Sequence, residues 1–347
     1  MSLLQKLAYN DYKKAKDFTV HQCETIANLA KLNTTFTNVE CPGEHLLRKL
    51  DLSGCSVSQY KVLLSALRKY RPHSKIAVLI ANNLYTHLSK LATPAVDCDS
   101  LSLHLKSLGF IVVTVKNTHA SHLKDIVGRI SHVIPPDSYC FIFYAGHGCQ
   151  IGNTKCMLGI DCPTENIQNE HCMTENNMLK QFERCNLDLC VFILDMCRIN
   201  LDRETNPDIS NSIVFTEDYI VHKNLLISYS TQSSQSAYEV LEIECSTTIN
   251  FDETYELKTG DTDRIVPGAS QYVKALCNRI GEDCDVSSLL DRVHGDVENS
   301  LRKQKPIKVQ CGVEKRQLND VPNCEPITLI NKLKESIKDY TNYCDVF

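Results

Sequence analysis

The chain has 347 residues, with 37 Lys and Arg against 42 Asp and Glu, a formal net charge of −5 and 43% hydrophobic residues. That length allows one large domain or two ordinary ones around a sizeable core. The slight acidic excess argues against a general nucleic-acid binder, which would carry a basic excess, and no run approaches the ~18 apolar residues of a membrane span.

The N-terminus, MSLLQKLAYNDYKKAKD, lacks the apolar stretch of about 7 to 15 residues that a secretory signal needs. Eighteen cysteines without such a signal read as reduced thiols in the cytosol or nucleus. No two are spaced C-x-x-C and the histidines do not cluster at ligand spacings, so neither a metal nor any other cofactor is expected. Most of these thiols are expected to behave as small buried hydrophobes.

Residues 1–72 read as helical. PGEHLLRKLDLSGCSVSQYKVLLSALRKY places Leu46, Leu47 and Leu50 on one face, then Tyr60, Leu63, Leu64 and Leu67 on another, at helical spacing. Ser56 or Ser58 is a candidate cap for the second helix. RPHS at 71–74 marks a boundary, with Pro72 as the breaker. KIAVLIA (75–81) is then a continuous Ile- and Val-rich run, as in a parallel strand buried on both faces. DSLSLHLKSLG follows as a helix with Leu101, Leu105 and Leu108 on one face, stopped by Gly109. FIVVTV (110–115) is a second strand and HASHLKDIVGRISHV an amphipathic helix with Leu123, Ile126, Val127 and Ile130 inward. YCFIFYA is a third strand, TENNMLKQFER a helix, LDLCVFIL a fourth strand and NLLISYS (224–230) a fifth. This alternation predicts an α/β fold with a mainly parallel sheet flanked by helices. Residues 241–264 carry seven carboxylates against one Lys and one Arg and read as an exposed acidic loop. Helices are expected at ASQYVKALCNRI and SSLLDRVHGDVENSLRKQ, and the tail ITLINKLKESIKDYTNYCDVF reads as a short amphipathic helix.

Two of these strands stop on a chemically capable residue: FIFYAGHG on His147 and VFILDMCR on Cys197. In parallel α/β sheets, ligands bind beyond the carboxyl ends of the strands. A free thiol, with a pKa near ~8.5, is mostly protonated at neutral pH. An imidazole can take that proton and later give it to a leaving amine. A histidine about 50 residues upstream of a cysteine is also the caspase-like spacing. Gly148 and Cys197 can offer main-chain N–H groups to a developing oxyanion. The alternative reading is a buried structural thiol and an unrelated surface imidazole.

FIFYAGHG and VFILDMCR resemble the two active-site strands of the clan of caspases, metacaspases and paracaspases, and the D-M-C-R wording resembles the MALT-type paracaspases. The similarity runs from KIAVLIANNLY through LATPAVDCDSL, both catalytic strands and SAYEV to GVEKRQLNDVP. The resemblance implies a caspase-like fold over 73–323 and cysteine endopeptidase activity, with His147 as acid/base and Cys197 as nucleophile. It also implies cleavage after arginine through an acidic S1 pocket of Asp97, Asp195 and Glu239. A guanidinium favours bidentate carboxylates. Taken singly, Asp97 could instead be a helix N-cap, Asp195 a turn residue and Glu239 a solvent-exposed side chain. Residues 1–72 resemble the latter part of a death domain, and 324–347 form a tail. The immunoglobulin-like domains that often flank such proteases are not expected in this chain. The resemblance implies protein substrates with exposed arginines, death-fold or CARD-containing adaptors and a homodimer when active, with no nucleic acid or membrane partner. The competing readings are a death-fold scaffold whose protease activity is secondary or absent, and a calcium-dependent, metacaspase-like enzyme. For the latter, residues 252–263 lack the D-x-D-x-D-G spacing of a calcium loop.

Overall fold

Apolar runs of this kind can lie side by side only if both faces of their sheet are covered. The computed structural model describes residues 12, 15–16, 18–36, 39–52, 54–67, 71–151, 154–196, 199–200, 204, 206–212, 224–231, 241–244, 264–267, 269–300, 304–313 and 316–347. The first described helices are α1 (Val20–Leu29), α2 (Pro42–Leu52) and α3 (Val57–Leu67). Then β1 (Lys75–Ala81), α4 (Pro94–Ser107), β2 (Ile111–Lys116), α5 (Ala120–Val133) and β3 (Tyr139–Ala145) alternate. The short strands β4 (Gly148–Ile151), β5 (Thr154–Leu158) and β6 (Cys172–Thr174) precede α6 (Glu175–Glu183), β7 (Leu189–Asp195), β8 (Ile199–Asn200), α7 (Pro207–Ser212) and β9 (Leu225–Tyr229). The chain continues through β10 (Leu241–Glu244), β11 (Arg264–Pro267), α8 (Gln271–Arg279), α9 (Val286–Ser300), β12 (Ile307–Cys311), α10 (Pro326–Ser336) and β13 (Cys344–Val346).

The main sheet has the order β12-β9-β7-β3-β1-β2-β13. The five inner strands are parallel, and both edges are antiparallel. One face is covered by α5, α6 and α10 through Leu123, Ile126, Phe182 and Leu333. The other is covered by α4, α8 and α9 through Leu101, Leu105, Tyr272, Leu276 and Val293. Every residue of β1, β3 and β7 is buried, which is why these runs are apolar without alternation. The result is the three-layer, mainly parallel architecture that the strand–helix alternation predicts.

The differences lie where pattern is short. The tail is a helix followed by β13, which pairs antiparallel with β2 (Cys344 with Val115, Val346 with Val113); three residues are too few for a period to show. The segment expected as an acidic loop begins and ends as strands, Leu241 pairing with Pro267 and Glu244 with Arg264; residues 245–263 lie outside the described residues. A second sheet, β6-β5-β4-β8, is also missed by periodicity. The helix expected from DSLSLHLKSLG starts earlier, at Pro94, whose fixed φ suits a first helical position.

The helical region has its own core of Ile26, Phe36, Leu46, Leu50 and Leu63, closed by Val321. Thr19 and Gln22 form a reciprocal capping box on α1, and Ser56 rather than Ser58 accepts the Gln59 N–H at the start of α3. Leu64 is only half-buried, unlike Leu63. Gln22 donates to the Pro322 carbonyl, so the strap that closes this core is also tied to α1.

That strap is anchored by Lys75, the first residue of β1 and fully buried. Its Nζ donates to the carbonyls of Leu108 (2.5 Å), Leu318 (2.6 Å) and Asp320 (2.8 Å) and lies 4.6 Å from the Phe110 ring centroid. Burial pushes its pKa down to about 7, against the opposing pull of Asp320. In the protonated form three donors meet three acceptors, so the ammonium is fully satisfied. Lys75→Met would remove the shared donor of three main-chain carbonyls from a buried site, and urea denaturation should show a loss of about 3 kcal/mol; a loss below about 0.5 kcal/mol, the scale of a surface change, would contradict this account.

Candidate active site at the carboxyl edge of the sheet

Strands β3 and β7 are parallel neighbours in unbroken register, from Tyr139 with Leu189 to Ala145 with Asp195. Beyond their ends, β4 pairs in parallel with β8, Cys149 with Ile199 and Gln150 with Asn200. Both ladders keep one offset, 195 − 145 = 199 − 149 = 50, which is also the separation of His147 and Cys197. Cys197 itself lies outside the described residues. Its neighbour Met196 is buried and packs against Gly148: a Cβ on Gly148 would fall 2.2 Å from the Met196 Sδ. A side chain at Gly148 would have to displace that of Met196, so the two strand ends meet there.

The main chain of His147 is held from both sides. Its N–H donates to the Tyr85 hydroxyl (2.7 Å), and its carbonyl accepts from the Tyr144 hydroxyl (2.8 Å) and the Leu158 N–H (3.1 Å). The imidazole is half-buried and lies 4.5 Å from the Tyr85 ring, tilted by 60°. Its Nε2 is 2.8 Å from the Ser89 carbonyl oxygen. A carbonyl only accepts, so Nε2 carries the proton and Nδ1 keeps its lone pair in the neutral ring. A base oriented by a third group in this way is ready to take a proton from a thiol.

The two described carboxylates of the expected S1 pocket come together. Asp97 lies in the first turn of α4 and Asp195 ends β7; both are buried. Asp97 is therefore not an N-cap, since the cap position is Thr93, and Asp195 belongs to a strand rather than to a turn. Asp97 Oδ1 accepts the Ser270 N–H at 2.7 Å, and Asp195 Oδ2 accepts the Ser270 hydroxyl at 2.7 Å. Ser270 in turn caps α8, its Oγ accepting the Val273 N–H at 3.2 Å. Glu239 lies outside the described residues.

Sequence reasoning missed Tyr85, Ser89, Tyr144 and Ser270. Tyr85 falls in the stretch KIAVLIANNLY that carries the resemblance, and Ser270 precedes the apolar period of α8 as a cap should; Ser89 acts through a main-chain carbonyl, which leaves no mark in a sequence. The remaining described cysteines stand apart from this chemistry. Most are buried, and burial pushes Cys162 and Cys190 up to about 12 and Cys185 up to about 11, so these thiols stay protonated and inert. Among the described residues no group of three or more His, Cys, Asp or Glu is arranged to hold a metal ion, and no helix is long and apolar enough to cross a membrane.

An oriented imidazole at the carboxyl edge of a parallel sheet, level with a strand that runs into a cysteine, is the arrangement of a caspase-type cysteine peptidase. A caspase-domain profile matches residues 74–318, more than half of the chain, and the chain belongs to that family. It is 26% identical over 249 residues to the human mucosa-associated lymphoid tissue lymphoma translocation protein 1, covering 71% of this chain and 27% of that protein. The mouse homologue matches at 26% identity over the same 71% of this chain and 26% of its own length. The chain thus aligns with about a quarter of these relatives, and the similarity agrees with the MALT-type resemblance of its motifs. Among solved structures, caspase-1 from Spodoptera frugiperda superposes with a TM-score of 0.51 at 16% identity, covering 74% of this chain and 94% of that one; this likeness concerns the fold.

The tautomer can be read directly. In the folded protein at neutral pH, ¹⁵N shifts of the His147 ring should show a protonated Nε2 and a bare Nδ1; the opposite pattern would mean that the Ser89 carbonyl does not orient the base.

Proposed function

We propose that the protein is a cysteine endopeptidase that cleaves after arginine, using His147 and Cys197 as a dyad. In this mechanism His147 Nδ1 takes the Cys197 thiol proton and the thiolate attacks the scissile carbonyl. The main-chain N–H groups of Gly148 and Cys197 stabilise the oxyanion, and the imidazolium protonates the departing amine. Water, deprotonated by the same imidazole, then hydrolyses the thioester. The observation that carries the arginine reading is the convergence of Asp97 and Asp195, two buried carboxylates from separate elements, on one point at the sheet edge that bears His147. Buried carboxylates favour a cationic partner, and Glu239 would complete the pocket.

Homodimerisation accompanies activity in this reading. Among the described strands β12 ends the main sheet, and Val309 in it is 51% exposed. A strand at the edge of a sheet is a template for pairing with a second copy. The helical region, with a core of its own, is the surface we assign to death-fold or CARD-containing adaptors that would bring two copies together.

Matched fluorogenic peptides ending in Arg, Lys or Asp test the central claim. Cleavage after Arg should exceed cleavage after Lys on the order of tenfold, because a guanidinium makes fixed bidentate bonds and an ammonium does not. It should vanish in Cys197→Ala, and Asp195→Asn should lower kcat/KM for Arg by about 10- to 100-fold, the weight of a hydrogen bond to a charged group. Cleavage after Asp would overturn the pocket, and a folded, paired protein that cleaves nothing would leave the scaffold reading in its place. For the dimer, Val309→Arg should sediment as a monomer at concentrations where the wild type associates and should lose activity in parallel; unchanged association would exclude β12 as the interface.

A further inference from the structure

Two carboxylates buried close together repel one another and lose hydration. One residue donates to both of them here. Ser270 is 173 residues from Asp97 and 75 from Asp195 in sequence, yet its N–H donates to the first and its hydroxyl to the second, each at 2.7 Å. The same residue caps α8, so the positive end of that helix lies beside both carboxylates. Three elements from three parts of the chain, α4, β7 and α8, are tied at this point.

We infer that Ser270 is a positioning residue for arginine recognition, setting the direction in which the Asp97 and Asp195 carboxylates meet a substrate guanidinium. The inference rests on the arginine-pocket reading given above. Ser270 has no part in the bond-breaking steps; it acts through the two carboxylates. A planar guanidinium is sensitive to the direction of its acceptors, whereas an ammonium with rotatable donors is not. The hydroxyl therefore governs the selectivity for arginine over lysine and the apparent affinity, and leaves the chemical step alone.

The test uses the full chain as wild type, Ser270→Ala, Ser270→Gly and Ser270→Thr, with steady-state kinetics on matched Arg and Lys peptides and a thermal melt of each protein. Ser270→Ala should raise KM for the Arg peptide about tenfold while kcat stays within about twofold, and should lower the Arg-to-Lys ratio of kcat/KM by a similar factor. Ser270→Thr, which keeps the hydroxyl, should restore both. Glycine caps a helix nearly as well as serine. Ser270→Gly should therefore reproduce the loss of selectivity with little change in melting temperature, and it carries the test should the alanine variant fold poorly. A fall in kcat with KM unchanged, or an equal loss on both peptides, would reduce Ser270 to a helix cap and overturn the inference. The pocket reading fails separately: if the wild type does not prefer arginine, or Asp195→Asn leaves the preference intact, the acidic pocket itself is wrong and Ser270 falls with it. If Asp195→Asn abolishes the preference and both Ser270→Ala and Ser270→Gly keep it, only the assignment of Ser270 fails.

Discussion

Parallel strands β3 and β7 are hydrogen-bonded in register over their whole length, so Ala145 and Asp195 finish side by side. A parallel ladder has evenly spaced bonds, and a slip by one residue would exchange every side chain of a strand between the two helix-covered faces. The burial of all seven residues of each strand locks that register. The site is set by it: His147 follows the end of one strand by two residues, the proposed nucleophile follows the other by the same count in the sequence, and Gly148 contacts Met196 between the two strand ends.

The sheet separates the polar chemistry into two edges. Burial raises the pKa of the thiols in its interior, Cys140 and Cys190 among them, which keeps them protonated. At the amino edge, the Lys75 ammonium is spent on three carbonyls and ties α4, β1 and the 318–320 strap together. Tyr139 adds a hydrogen bond to Asp320 from within β3. The carboxyl edge collects the groups with chemical capacity, the His147 imidazole and the Asp97 and Asp195 carboxylates, each held by a partner that leaves its reactive character intact: a main-chain carbonyl for the imidazole, and an N–H and a hydroxyl for the carboxylates.

The orientation of the base illustrates the economy of this arrangement. No carboxylate is needed to fix the histidine tautomer, because the Ser89 carbonyl does so, and the tyrosine pair Tyr85 and Tyr144 fixes the main chain beneath it. Placing an anion there would compete with the acidic cluster that the arginine reading requires. A neutral acceptor keeps the negative charge at the pocket and the proton-transfer chemistry at the strand end.

The parallel sheet, its covering helices and the place of His147 just beyond a strand end were legible in the sequence alone, because buried parallel strands must be continuous apolar runs and their helices must repeat near 3.6 residues. The motifs around His147 and Cys197 added the family. Short elements were not legible: β13 and the strands of the small sheet are too brief for a period, and their pairing is decided by what lies next to them. The same holds at the site. Asp97 and Asp195 stand out as charges near strand ends, but that both converge on Ser270 depends on α8 docking against α4 and β7, a contact between segments 75 and 173 residues apart. Local pattern records which face of an element is buried; which distant side chain it meets there is settled only when the layers pack, because the hydrogen bonds that join them have no spacing rule in the chain.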